Sequence, residues 1–171
     1  MHTTDASSAL VCPGWDDRRV HDHSADHDAG HEGPLNRHVY HCPLRWGDMD
    51  ALGHVNNGRY VDYLQDARVD FLFRTAKELG ADDLETGLLV ARHEVQYRAP
   101  LVFRAEPVRI ELWISEIKAA SFMVDYEILD AEPRRTYVEA RTRLVPFDFA
   151  ANRLRRITPV EREALSKLVG R

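Results

Sequence analysis

Residues 58–80, GRYVDYLQDARVDFLFRTAKELG, decide how this chain folds. Tyr60, Tyr63, Leu64, Ala67, Phe71 and Leu72 recur at helical spacing and make one apolar stripe. Asn56 or Asn57 can cap its start and Gly80 can stop it. The spacing predicts a helix of about five to six turns. It is the only long one in the body of the chain, so it needs a broad apolar surface to cover it.

The segments that follow supply that surface, because the period changes from 3.6 to 2. In LLVARHEVQYR (88–98), Leu89, Ala91, His93, Val95 and Tyr97 alternate with Val90, Arg92, Glu94, Gln96 and Arg98. His93, on that face, reads as a satisfied core histidine. In VRIELWISEI (108–117), Val108, Ile110, Leu112 and Ile114 share one face. Phe122, Val124, Tyr126 and Ile128 do so in SFMVDYEIL (121–129), as do Val138, Ala140, Thr142 and Leu144 in TYVEARTRLVPF (136–147). Each reads as a half-buried antiparallel strand, joined by the short turns KAAS and DAEPRR. Upstream, HVYHCPLRW (38–46) reads as a first strand of about eight residues, with Pro43 favouring an edge or a strand end. TPVEREALSKLVG (158–170) reads as a final amphipathic helix with Thr158 as N-cap and Pro159 at its first position. The expected class is α+β: an antiparallel sheet of about five strands wrapped around one long central helix, plus a C-terminal helix.

Residues 1–37 differ in kind. They hold seven acids and three bases, for a net of -4 out of the chain's -5, and read as a disordered His/Asp-rich extension. His21, His23, His27 and His31 lie there; such a tract can bind zinc or nickel, although a solvated tail with weak adventitious affinity is the plainer reading. Residues 38–171 read as a single domain, nearly neutral. The charge gives a nucleic-acid partner no support. Cys12 and Cys42 make neither a disulfide framework nor a metal motif, so no metal is expected. No apolar run reaches the roughly 18 residues of a membrane span, and no secretory signal opens the chain. The expectation is a cytoplasmic protein that engages neither membrane nor nucleic acid.

Between the first strand and the helix lies RWGDMDALGHVNNGRY (45–60), with two aspartates, a histidine and two asparagines within ten positions. This motif, D-x-D-x-x-G-H-V-N-N at a strand-to-helix junction, resembles the hotdog-fold acyl-CoA thioesterases, most closely the 4-hydroxybenzoyl-CoA thioesterase type. The matching residues are Asp48, Asp50, Gly53, His54, Val55, Asn56, Asn57 and Tyr60, continued by Tyr63, Leu64, Ala67 and Arg68. Weaker matches are Tyr97, Pro100 and Leu101, and Ser121–Phe122.

The resemblance implies a hotdog domain over 38–171 that hydrolyses an acyl-CoA thioester to the free acid and CoA. CoA is then part of the substrate and no separate cofactor is needed. It implies Asp50 as nucleophile or general base, and a backbone N–H near Asn57, at the helix start, as oxyanion donor. Gly53 would allow the tight turn between them. Asp48 reads as a structural residue of the loop. His54 either orients the thioester or a water, or bonds across a subunit interface. Asn56, Tyr60, Lys118 and Ser121 are the substrate-contact candidates. Asp62, Asp66 and Asp70 form an acidic row on the helix, with Arg74 able to pair with Asp70; Asp66 is a reserve carboxylate. Relatives carry a basic run before Ser-Phe to hold nucleotide phosphates; KAAS leaves only Lys118, with Arg98, Arg104 or Arg141 as substitutes. The family also implies a homodimer or homotetramer with sites between protomers. The other reading is a non-catalytic acyl-CoA or acyl-carrier-protein binding module on the same fold.

Overall fold

The computed structural model describes residues 37–76, 78, 84 and 87–170. The expected extension lies outside the described residues except for Arg37, which pairs with Glu111 (2.8 Å) and Glu127 (3.5 Å). The expected helix stop at Gly80 also lies outside them.

Five strands form one antiparallel sheet: β1 (His38–Cys42), β2 (Leu88–Tyr97), β3 (Val108–Ile117), β4 (Phe122–Asp130) and β5 (Arg135–Asp148). Their order across the sheet is β1-β3-β4-β5-β2. β1 is shorter than its sequence suggested. It ends at Cys42, before Pro43, whose missing N–H ends the ladder; a 3-10 turn, Trp46–Asp48, follows. A short β6 (Arg153–Leu154), which the sequence did not reveal, pairs with the end of β5.

The long helix is α1 (Arg59–Phe71), continued by one π-helical turn, Leu72–Ala76. Its predicted stripe is buried: Tyr60, Tyr63, Leu64, Ala67, Phe71 and Leu72 join one core with Ile110, Leu112 and Ile114 of β3, Phe122, Val124, Tyr126 and Ile128 of β4, and Val138 and Leu144 of β5. These strand residues are the faces the period of two selected. β2 departs from strict alternation. Its register against β5 shifts between Val90 and Arg92, so Ala91 is the extra residue of a bulge. α2 (Pro159–Ser166) begins as expected at Thr158, and the cap is a full capping box. The Thr158 hydroxyl accepts from Glu161 N–H (3.2 Å) and the Glu161 carboxylate accepts from Thr158 N–H (2.7 Å). Residues after α2 then run beside β3, where Ile114 N–H donates to Leu168 O (3.0 Å).

Candidate active site

The loop between β1 and α1 is built around Asp48, which is 6% exposed. One of its carboxylate oxygens accepts from the Tyr63 hydroxyl (2.8 Å) and from Arg45 Nε (2.8 Å); the other lies 3.6 Å from Arg59 Nε. Burial alone would raise its pKa. The hydrogen bonds from Arg45 and Tyr63, with the charges of Arg45 and Arg59, hold it below the usual carboxylate value. The main chain joins in, since Asn56 N–H donates to Asp48 O (2.8 Å). Asp48 is therefore the structural anchor the sequence suggested.

Asp50 sits one turn further, in a loop closed by its own backbone. Asp50 N–H donates to His54 O (2.8 Å), Gly53 N–H donates to Asp50 O (3.1 Å), and Gly53 takes φ +78°, open to glycine at little cost. The Asp50 side-chain Oδ1 accepts from Leu52 N–H (2.8 Å) and, more weakly, from His54 N–H (3.4 Å). Its second oxygen accepts no hydrogen bond from the described residues, so one oxygen is held and the other is available.

The start of α1 corrects one expectation. The N-cap is Gly58, not Asn56 or Asn57, and it makes no side-chain cap. Asn56 acts one residue earlier: its Oδ1 accepts from Gly58 N–H (2.9 Å). The same peptide plane is held from its other side by Tyr97, whose hydroxyl donates to Asn57 O (2.9 Å). In the preceding plane, Asn56 O accepts from Arg59 N–H (2.9 Å). Asn57 N–H, the opposite end of that plane, has no partner among the described residues. Two pinned peptides thus leave the Asn57 N–H open one residue before the N-cap, close to the helix end where unpaired donors and partial positive charge concentrate.

Asp50, His54, Asn57 and Tyr60 line one cavity of about 320 Å³, closed on its far side by Tyr97, Arg98, Ala99 and Pro100 after β2. Two hydrogen bonds tie the halves together: Val55 N–H donates to Leu101 O (2.8 Å) and Leu101 N–H donates to the Tyr60 hydroxyl (3.3 Å). Burial, more than any neighbour, raises the Tyr60 pKa, so the phenol stays protonated. Tyr60 and Tyr97 meet edge to face at 5.4 Å. Four sequence candidates therefore come together. Asn56 supports the loop from beside the cavity. Lys118 and Ser121 do not line it: they close the β3–β4 turn through Lys118 N–H to Ser121 O (2.8 Å), and Lys118 pairs with Glu116 at 3.2 Å. That turn is covered by the C-terminal segment, with Arg162 Nη2 donating to Lys118 O (2.5 Å).

Elsewhere, His93 is satisfied as expected, its Nδ1 2.8 Å from the Thr142 hydroxyl. Arg74 pairs with Asp70 at 2.8 Å. The part sequence reasoning left without a role is Tyr97. Its signal was a tyrosine at a strand end in a motif, with nothing local to say what the hydroxyl would reach forty residues away.

Residues 44–168 match the model of the thioesterase-like superfamily. The chain belongs to that superfamily. It is 35% identical to a Pseudomonas aeruginosa protein provisionally assigned as a thioesterase, over 74% of this chain and 96% of that one, with a TM-score of 0.63. The fold recurs in a Thermus thermophilus thioesterase complexed with coenzyme A and zinc (22% identity, 78% and 94% covered, TM-score 0.64). It recurs also in a 1,4-dihydroxy-2-naphthoyl-CoA thioesterase from Synechocystis (20% identity, 77% and 97% covered, TM-score 0.65). No curated protein matches the chain significantly. The superfamily member described here is a hotdog-fold thioester hydrolase. No helix among its described residues is long and apolar enough to cross a membrane.

Proposed function

We propose that this superfamily member hydrolyses acyl-CoA thioesters in the cavity beside Asp50. The observation that carries the reading is the pairing, in one cavity, of a carboxylate with an available oxygen and the open N–H of Asn57. In the nucleophilic form, a carboxylate oxygen of Asp50 attacks the thioester carbon. The carbonyl oxygen takes up negative charge and is met by Asn57 N–H. The carbon–sulfur bond then breaks, the thiolate leaves and takes a proton, and water hydrolyses the mixed anhydride to restore Asp50. In the general-base form, Asp50 takes a proton from water as it adds to the same carbon and returns it to the departing sulfur. Both forms need the same donor, and removing such a donor costs about 10²–10³ in rate.

His54, on the same loop, orients the thioester or a water. Tyr60 and Asn56 support the acyl end. Lys118 and Ser121 serve the CoA end in the assembly expected of the fold, a homodimer or homotetramer with sites between protomers, while Arg98 is the base already at the cavity. The test is thiol release from short, long and aromatic acyl-CoAs by wild type and Asp50→Asn. The expected result is hydrolysis by wild type and a loss of at least ~100-fold in the variant. A fully active variant overturns the assignment of Asp50, and absence of thiol release from every acyl-CoA overturns the substrate class.

A further inference from the structure

Tyr60 stands where the two walls of the Asp50 cavity join. It is the second residue of α1, and helical Cα–Cβ bonds tilt toward the N-terminus, so its side chain leans back toward the helix start. Its ring meets Tyr63 and Tyr97 edge to face, at 6.2 and 5.4 Å. Its hydroxyl accepts from Leu101 N–H (3.3 Å), and Leu101 O accepts from Val55 N–H (2.8 Å). Leu101 follows directly on Ala99 and Pro100 of the far wall, and Val55 belongs to the near wall. The hydroxyl is therefore pinned at the seam of a cavity that Tyr60 lines with Asp50, His54 and Asn57.

A phenol can accept through its oxygen and has one proton to donate. The Leu101 bond uses the oxygen as acceptor, and among the described residues no group accepts the proton. Tyr60 is 3% exposed, so it has little bulk water to turn to, and a buried donor left unmade costs free energy. The two tyrosines in ring contact with it differ. Tyr63 donates to Asp48 (2.8 Å), and Tyr97 donates to Asn57 O (2.9 Å). Of the three, Tyr60 alone keeps a proton without an acceptor.

The proton is also firmly held. Burial, chiefly, raises the Tyr60 pKa; the Leu101 N–H lowers it, and Tyr97, Tyr137 and Asp50 add to the rise. At neutral pH the group is an uncharged donor on the rim of a cavity that holds a carboxylate.

A thioester placed for attack at Asp50 brings an acceptor into that cavity. Its carbonyl oxygen gains negative charge as the tetrahedral adduct forms, and donors already in place meet such a charge best. Asn57 N–H is one. It lies three residues before Tyr60, a spacing that puts two positions on one side of a helical turn.

We propose that the Tyr60 hydroxyl is a second oxyanion donor, meeting the thioester carbonyl oxygen together with Asn57 N–H. As Asp50 or water adds to the thioester carbon, the carbonyl π pair moves onto oxygen and both donors hydrogen-bond to it. When the carbon–sulfur bond breaks, that pair re-forms the carbonyl. The phenol keeps its proton throughout. This rests on the reading of Asp50 as the reacting carboxylate and adds a catalytic residue to it.

The experiment is steady-state kinetics of wild type and Tyr60→Phe on an acyl-CoA that wild type cleaves, with calorimetric binding of two uncleavable analogues. In the ketone, a methylene replaces the sulfur and the carbonyl stays; in the thioether, a methylene replaces the carbonyl. Tyr60→Phe is expected to lose roughly 100-fold in kcat with KM changed less than ~3-fold. Wild type should bind the ketone roughly 10-fold more tightly than the thioether, and the variant should give up most of that margin. A kcat within ~3-fold of wild type, a loss confined to KM, or an undiminished ketone margin overturns the proposal. So does a shift in the acid limb of kcat/KM, which would put the hydroxyl on the Asp50 carboxylate instead. If Tyr60→Phe does not fold, a ring-difluorinated tyrosine in place of Tyr60 keeps the shape and the Leu101 bond but ionises far more readily. The alkaline limb of kcat should then move to lower pH, and an unmoved limb overturns the proposal. If wild type releases no thiol from any acyl-CoA, the acyl-CoA reading fails separately. The same variants are then assayed on acyl N-acetylcysteamine thioesters, which carry the same carbonyl, with the same results deciding.

Discussion

Replacing Asp48 by alanine and by asparagine separates what its shape does from what its charge does. In Asp48→Ala the Tyr63 hydroxyl, in a residue 0% exposed, loses its acceptor inside the core. An unpaired buried hydroxyl costs about 1–3 kcal/mol. The arginine ends of the two ion pairs are half exposed, Arg45 at 55% and Arg59 at 52%, so their loss adds under ~1 kcal/mol. The total is about 1–4 kcal/mol, or a fall in Tm of roughly 2–16 °C for a chain of this size. Asp48→Asn keeps an acceptor for Tyr63 and gives up only the charge, so its deficit is under ~1 kcal/mol. Calorimetric melting at neutral pH reads both. The Asp48 pKa is depressed in the folded state, so its charge stabilises above the unfolded carboxylate pKa, and that contribution is lost as pH falls through the lowered folded value. The gap between wild type and Asp48→Asn should close over that acidic interval. Equal melting of the alanine and asparagine variants, or an alanine deficit below ~0.5 kcal/mol, refutes the anchoring role.

Tyr97→Phe removes the bond that holds the Asn57 peptide while leaving the ring against Tyr60; kcat should fall by roughly 10-fold, part of what a whole oxyanion donor supplies, with KM little changed. A purely structural role predicts a lower Tm with normal kcat. Thr158→Ala breaks the capping box of α2 and should cost ~1 kcal/mol, seen by chemical unfolding. Glu161 has its carboxyl held below the usual value against its own burial, chiefly by Arg155; the stability it adds is present above the unfolded glutamate pKa and lost as pH falls through the folded one. Glu161→Gln should therefore flatten the acid limb of the stability curve. Burial, chiefly, pushes the Cys42 thiol up to about 12, so iodoacetamide at pH 8 should leave Cys42 unlabelled until the protein is unfolded, as peptide mapping would show.

How the sequence and the tertiary structure divide the work is clearest residue by residue. The faces of β3, β4 and β5 and the stripe of α1 were legible because burial follows a period of two or 3.6, and a period is a property of consecutive residues. Thr158 and Pro159 marked a helix start for the same reason, since a cap acts within one turn. Asp48, Asp50 and Gly53 stood out because a tight loop between strand and helix selects its residues locally. The N-cap at Gly58 was less legible: Asn56, Asn57 and Gly58 all suit a helix start, and Tyr97 and Asp48 settle the loop from outside it. The bulge at Ala91 arises from register against β5, which β2 alone does not encode.

The sequence by itself determined the class of fold and singled out the loop that carries Asp48 and Asp50. Only the tertiary structure set Tyr97 on the Asn57 carbonyl, left Lys118 and Ser121 outside the cavity, and buried Arg68 among Tyr126, Thr142 and His93. Spacing dictates which way a side chain points from its own element. Which partner it then meets depends on the order and register of elements far apart in the chain, and those are decided by the packing of the whole core.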